Sequence, residues 1–449
     1  MLLKAKIFCK KIFNYFGYTE LKIIGSSGLV LLKDYMVEIG LVHQMNKNIK
    51  DNRKQGKIIY RAPEILLCNI LRVLNGECRL SHCMNASESL FEEMYSSKTV
   101  PDFRTLIYYL RKNPETYIYL EKILFEMSMR HLKKRIKELK LKRITIDTDQ
   151  TARAVHGRQE GAKKGYSARD KNSKLFQATV WMVRETKTVF KLELLSGEKN
   201  SGNNLLNRIQ NVVESLKELG VKITFVCDSG YENIEVFEYL DLERVQFLFA
   251  IKQFKTVKKR GKYAKKKIVK KENGEITMVI KERDLKTKKG FLFRQIFVQN
   301  KIACDEFGQR YYETFESDEF TNVFVTNMNL TKEKIYEFYK KHAQVETIIE
   351  ELKNDFQLGV SHSNKFKFNC AMSQIAAIAY NVKNMFISDK KIFQMNNEII
   401  KLSTLQRKLI HIPGIIVNNS GRIILKVEKR IFDSVKNYFL LFNYKLLIV

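Results

Sequence analysis

Through roughly the first 140 residues, apolar side chains recur every three or four positions, the spacing of helices with one buried face. After Pro63, the residues Ile65, Leu66, Ile70, Leu71, Val73 and Leu74 make one stripe that stops near Gly76. Pro101 precedes a second such stretch through Leu106, Tyr109 and Leu110. Pro114 precedes a third, carrying Leu120, Ile123, Leu124, Met127 and Leu132. From Lys142 the period shortens, and RITIDTDQT, KLFQATVWMV and KTVFKLELL read as strands. Leu205, Ile209, Val212, Val213 and Leu216 then predict a helix closed by Gly220. KITFVC, NIEVFEYLDLE and VQFLFAI follow as strand, helix and strand. The order β-β-β-α-β-α-β predicts an α/β layer architecture.

Between Ile251 and Leu330 this alternation stops, and ITMVI, FLFRQIFV and TNVFVT predict a β-rich insertion with a basic loop. Helical spacing resumes at Thr331 and runs as one helix through Leu358, with further helices over about 369–388 and 400–410. Two apolar runs around Asn418, Asn419, Ser420 and Gly421 predict a β-hairpin.

Charge narrows the class of partner. Lys and Arg number 80 against 49 acids, a formal net charge of +31 with a pI near 9.7. Such a field attracts polyanions, and nucleic acid comes first among them. Codon usage in an AT-rich genome is the competing explanation. Residues 252–289 alone hold sixteen Lys or Arg and four acids. That stretch is either a nucleic-acid contact or a solvated charge run. The basic faces of the N-terminal helices are likewise open to DNA contact or to a plain bundle.

The N-terminal MLLKAKIFCKKIFNYFGY is interrupted by Lys4, Lys6, Lys10 and Lys11, so it reads as a basic amphipathic helix and not a signal peptide. The apolar C-terminus is too short to cross a bilayer, and no membrane partner is expected. Cys78, His82 and Cys83 lie close together, but no second pair completes a zinc set. Idle thiols in a reducing cytoplasm fit the seven scattered cysteines better.

Candidate chemistry rests on acids. Asp147 and Asp149 share one face of their strand with Thr145 and Thr151. Asp228 follows the apolar run ITFVC at the carboxyl end of a strand, where ligands commonly bind in open α/β sheets. Glu346 stands on the helix after the insertion, and such oxygen ligands suit Mg²⁺ or Mn²⁺. Tyr339, Glu346 and Lys353 are seven apart, with His342 four before Glu346, so a continuous helix would carry all four on one face.

These residues resemble the cut-and-paste DDE transposases of bacterial insertion sequences. That family carries Tyr, two residues, Arg, three residues, Glu, six residues and Lys on its Glu helix. Here Tyr339, His342, Glu346 and Lys353 fill the register, with His in place of Arg. GRQEGAKKGY at 157–166, DSGYENIEVFEYL at the second Asp and the final hairpin extend the likeness over about residues 141–430.

The resemblance implies a ribonuclease-H-like core over 141–251 and 331–390, with 252–330 inserted. Residues 1–140 become a helical DNA-binding domain, and 391–449 a C-terminal helix and hairpin. It implies Asp149, Asp228 and Glu346 as catalytic metal ligands for two ions of Mg²⁺ or Mn²⁺. Asp149 is chosen because it stands two residues before Thr151, and Asp147 is the alternative first ligand. DNA contacts would come from Tyr339, His342 and Lys353, and from Lys258, Lys259, Arg260, Lys265, Lys266 and Lys267 of the insertion. The partners implied are double-stranded DNA, the element's terminal inverted repeats and target DNA, with a homodimer as the active form. A cytoplasmic, nucleoid-associated enzyme would cleave strands and transfer them. A nuclease that never joins strands, and a non-catalytic basic nucleic-acid-binding protein, are the alternatives.

Overall fold

The computed structural model describes residues 22–54, 56, 58–77, 79, 100–165, 173–199, 201–270, 276–300, 303–304, 310–311, 321–392, 400–419 and 422–444. The basic N-terminal helix, the Cys78–His82–Cys83 group and the hairpin residues Ser420 and Gly421 lie outside the described residues.

A short strand β1 (Lys22–Ile24) precedes helices α1 (Leu29–Glu38), α2 (Leu41–Asn48), α3 (Ala62–Leu74), α4 (Phe103–Lys112) and α5 (Thr116–Glu138). Pro63 opens α3, where Glu64 accepts the Arg61 N–H at 2.9 Å. Gly76, at φ +89°, lets the chain turn back so that Glu77 N–H reaches the Arg72 carbonyl.

Strands β2 (Arg143–Ala154), β3 (Lys163–Lys164), β4 (Lys174–Val183) and β5 (Thr188–Ser196) follow. Then come α6 (Leu205–Lys217), β6 (Lys222–Cys227), α7 (Ile234–Leu242) and β7 (Gln246–Ala250). β5, β4 and β2 are antiparallel neighbours, and β2, β6 and β7 are parallel. This mixed core is the ribonuclease-H-like arrangement that the family resemblance implies, within the α/β class that the pattern of elements predicts.

The basic run is a helix and a strand rather than a loop, α8 (Lys255–Lys262) and β8 (Lys265–Lys270). Val257 is 6 % exposed and anchors α8 on the aromatic core, which gives this charged stretch a reason to coil. β9 (Ile276–Lys286), β10 (Leu292–Asn300), the short pair β11 (Ala303–Cys304) and β12 (Arg310–Tyr311), and β13 (Asn322–Thr326) complete the insertion. Its strands continue the central sheet: β13 pairs antiparallel with β7, then β10, β9 and β8 extend it outward. The sequence marked these runs as strands of an inserted subdomain without placing them in the central sheet. There Phe247 and Phe249 face one side with Phe293, Val323 and Val325, while Leu248 and Ala250 face the other with Ile296 and Phe324.

The long helix expected after Thr331 is two helices, α9 (Lys332–Lys340) and α10 (Ala343–Asn354), broken at Lys341–His342. Bonds from His342 N to Tyr339 O and from Val345 N to His342 O tighten the break into a 3₁₀-like turn. α11 (Phe366–Asp389), α12 (Leu402–Leu405) with a π turn over Gln406–Ile410, strands β14 (Gly414–Asn419) and β15 (Arg422–Val427), and α13 (Lys429–Leu440) follow. β1 adds to β14 as a third strand.

One face of the sheet packs α6 and α7. The other packs α9 to α11, and there α1 to α5 contribute to a single hydrophobic core with α10, α11, β4 and β5. Among the described residues no helix is long and apolar enough to cross a membrane.

A buried ion pair stitches this core. Lys383 on α11 meets Glu351 on α10 at 2.7 Å, both side chains 1 % exposed. Glu351 also accepts Leu402 N–H at 2.8 Å. Lys383→Met strands a buried carboxylate and is expected to cost about 3–5 kcal/mol. Adding Glu351→Gln, whose amide oxygen still accepts from Leu402, should return part of that loss, as read from urea midpoints.

Candidate catalytic site

The alternation of β2 sends Ile144 and Ile146 into the aromatic core and Thr145, Asp147 and Asp149 toward the α9–α10 side. Asp147 is fully buried. The Arg184 guanidinium, just past β4, donates to both of its oxygens at 2.7 and 2.6 Å, and His342 Nδ1 lies 2.7 Å from Oδ1. The remaining Arg184 nitrogen, Nη1, donates to the Phe338 carbonyl at 3.0 Å, and the guanidinium lies over the Phe338 ring.

Asp149 stands two residues on and is half-buried. Burial, then the charges of Asp228 and Glu346, push its carboxyl up to about 6 against the pull of the Gln150 N–H and of His342. Asp228 leaves β6, whose Cys227 pairs in register with Thr148, so one further step brings Asp228 beside Asp149. Asp228 and Glu346 are exposed. The Tyr339 hydroxyl is held protonated, by burial first and then by Asp228, Cys227, Asp149 and Glu346. Its ring packs on Phe324 at 4.5 Å and on His342 at 5.5 Å. Three carboxylates and a phenol therefore share one electrostatic neighbourhood at the carboxyl end of β6.

Two of the motif residues face inward. Burial of His342 (4 % exposed) and its bond to Asp147 turn it away from the phosphate contact expected of it. Lys353 donates to Thr151 Oγ1 at 3.2 Å and to the Ala152 carbonyl at 3.3 Å, which ties α10 to β2. Asp147, the alternative ligand, has both oxygens already engaged. Two supporting residues escaped sequence reasoning. Arg184 carried a faint signal, as a charge directly after an apolar strand. Tyr231, which shares a hydrogen bond with Thr148 at 3.3 Å, lies in the DSGYENIEVFEYL stretch but was assigned no role there.

In the insertion, Lys259, Arg260 and Lys265 are exposed and Lys258 is half-buried. Lys266 and Lys267 belong to β8, and their side chains lie outside the described residues. The segment entering α8 is tied to the loop after Asp228, since Lys252 N–H donates to Glu232 at 2.9 Å.

Among the described residues no three His, Cys, Asp or Glu side chains are gathered tightly enough to hold a metal ion as they stand. The donor set nonetheless suits a hard cation. Burial first, and the charges of Asp228 and Glu346 after it, raise the Asp149 carboxyl, and a divalent charge would relieve both.

A ribonuclease-H-like sheet with one acid within a central strand, one just after the neighbouring strand and one on a later helix is the architecture of the DDE enzymes. The family model for the transposase DDE domain, group 1, matches residues 21–435. The chain belongs to that family: it is a DDE transposase, an enzyme acting on DNA, and the family works with divalent metal ions. No curated protein matches the chain. Among solved structures it is similar to a piggyBac transposase synaptic complex with hairpin DNA, at 10 % identity and TM-score 0.46. That match covers 86 % of this chain and 79 % of the other. It is also similar to a Mos1 transposase paired-end complex with the left transposon end, at 16 % identity and TM-score 0.18. There the coverage is 44 % of this chain and 61 % of the other.

The raised Asp149 carboxyl has a measurable consequence. A folded-state pKa near 6 against an ordinary 3.8 means that ionisation opposes folding. The penalty is absent below pH 3.8, grows through the interval and is complete above 6. Asp149→Asn should therefore stabilise the metal-free protein at pH 7.5 by on the order of 2–3 kcal/mol, with no gain at pH 3.5. Thermal unfolding in chelator at the two pH values checks it.

Proposed function

We propose that Asp149, Asp228 and Glu346 are the catalytic ligands of two Mg²⁺ (or Mn²⁺) ions, and that the protein cleaves and transfers DNA strands at the ends of a bacterial insertion sequence. The observation that carries this reading is the convergence of three acids distant in sequence. Cys227 pairs with Thr148, which puts Asp228 beside Asp149, and the ties from His342 and Lys353 to β2 lay the Glu346 helix along the same strand. When bound, the ions supply an activated water or 3′-hydroxyl and charge neutralisation at the leaving oxygen.

The chain's own residues bind and orient. The three carboxylates ligate. Tyr339, held as a neutral phenol, offers an O–H donor to a phosphate or to a Glu346 oxygen. Lys353 stands where β2 meets α10 and brings a cation to the edge of the site. Exposed Lys259, Arg260 and Lys265, with Lys258, Lys266 and Lys267, cover flanking duplex by phosphate contacts. Our division of the chain keeps 1–140 as the segment that reads the terminal inverted repeats. The catalytic core is 141–251 with 331–390, the basic insertion 252–330, and the C-terminal segment 391–449. The active form is a homodimer holding two ends and target DNA, in the cytoplasm at the nucleoid.

Asp149→Ala, Asp228→Ala or Glu346→Ala should each abolish strand cleavage and leave the Kd for DNA within about twofold, since ligands serve the transition state and Lys and Arg supply affinity. Wild-type cleavage by any one of the three removes that residue from the triad. Replacing Lys258, Lys259, Arg260, Lys265, Lys266 and Lys267 with Gln should weaken binding to a random-sequence duplex. It should also flatten the slope of log K against log salt by roughly 0.9 for each phosphate that the variant no longer neutralises. An unchanged slope would assign the basic run to solvent.

A further inference from the structure

α10 and the residues on either side of it run beside β2 in the same chain direction and are tied to it at three levels. His342 meets Asp147, Lys353 meets Thr151 and Ala152, and Arg153 donates to the Leu358 and Val360 carbonyls at 3.0 and 3.1 Å. Positions 147, 149, 151 and 153 share one face of the strand. Asp149 therefore stands between the first and second ties, just as Glu346 stands between His342 and Lys353 on the helix. Two strand residues cover about 6.7 Å and four helix residues about 6 Å, so the first tie nearly equalises the two advances. The register brings Glu346 level with Asp149.

The first tie differs in kind from the others. Asp147 has no exposure, and its oxygens take two N–H groups from Arg184 while Oδ1 also faces His342 Nδ1. Arg184 additionally grips the carbonyl of Phe338, the residue before Tyr339. A buried carboxylate engaged by two rigid planar groups cannot turn toward a cation without abandoning charge-assisted bonds in a dry environment. The family motif places Arg where this chain has His342. Here a guanidinium reaches Asp147 from the end of β4 instead.

We propose that Arg184, Asp147 and His342 form a positioning clamp that sets the separation of Asp149 and Glu346, and that Asp147 is not itself a metal ligand. The inference deepens the triad reading above and rests on it. The clamp residues act through the ligands they align.

The test uses the full chain and three readouts. These are the Mn²⁺ concentration at half-maximal thermal shift without DNA, the Kd for a terminal-repeat duplex in chelator, and the kcat and KM of cleavage. His342→Leu and Arg184→Met should each raise the Mn²⁺ midpoint about 10–100-fold and lower kcat. The duplex Kd and KM should stay within about twofold. His342→Asn should recover most of the loss, because its amide N–H can stand in for Nδ1–H in the bond to Asp147. A purely structural role predicts lower melting temperatures with an unmoved Mn²⁺ midpoint, or equal losses for His342→Asn and His342→Leu. Either result overturns the clamp. Asp149→Asn and Asp147→Asn separate the two claims. If Asp149→Asn removes the Mn²⁺ shift and the clamp variants leave it unchanged, the clamp falls and the triad stands. If Asp147→Asn removes the shift and Asp149→Asn keeps it, Asp147 is the ligand, and both the clamp and the choice of Asp149 fall.

Discussion

A carboxylate with no solvent exposure constrains everything around it. Burying the Asp147 charge costs several kcal/mol unless its partners are well placed, and removing either partner would leave that cost uncompensated. Arg184 and His342 must therefore hold their positions, and each belongs to a different element. Arg184 fixes the end of β4 and the last turn of α9, while His342 fixes the first turn of α10. The break at Lys341–His342 follows from the same demand. A straight helix would continue the rotation set by Tyr339, whereas the 3₁₀-like turn lets the Tyr339 ring lie on Phe324 while His342 reaches inward to Asp147. One buried charge thus determines the path of the segment that carries Tyr339 and Glu346.

The strands of the core were legible because each is a short apolar run with its own punctuation. Asp147 and Asp149 within β2 and Asp228 just after β6 were legible as candidates because a charge in or beside an apolar strand is costly without a partner. Glu346 was readable only through its spacing from Tyr339 and Lys353. Arg184 was not readable as a partner of Asp147, since that pairing comes from the antiparallel register of β2 and β4, in which Ile146 faces Val183. The direction of His342 was equally hidden, because spacing assumes a continuous helix and the chain breaks one residue earlier. Non-local pairing also explains why β1 went unseen. Three residues carry no period of their own, and only β14 makes them a strand.

The insertion shows how a long-range match extends a fold. β13 carries Phe324 to one side and Val323 and Val325 to the other, the same alternation as β7 beside it. The sheet therefore grows outward, and one side of the added strands packs a cluster of its own that includes Val226 and Leu248 of the central strands. Because β7 is parallel to β6, the chain enters the basic segment from the end of the sheet where Asp228 stands, and the bond from Lys252 to Glu232 holds the two exits together. The positive run thus begins beside the acids, although it is remote from Asp149 and Glu346 in sequence.

That juxtaposition answers an electrostatic problem. Clustered carboxylates repel phosphate as well as one another, and Asp149, raised first by burial, is raised further by Asp228 and Glu346. Exposed Lys259, Arg260 and Lys265 carry positive charge whose field extends over a Debye length of about 8 Å at physiological salt. At hydrogen-bonding range their reach does not cancel three carboxylates, and Lys353 is partly committed to Thr151 and Ala152. Close approach of a phosphate therefore calls for positive charge located among the acids themselves. Under the proposed ligand assignment, Asp228 and Glu346 stand exposed and Asp149 half-buried, the places a divalent cation would reach. The one acid of the group that the fold does compensate, Asp147, it removes from solvent.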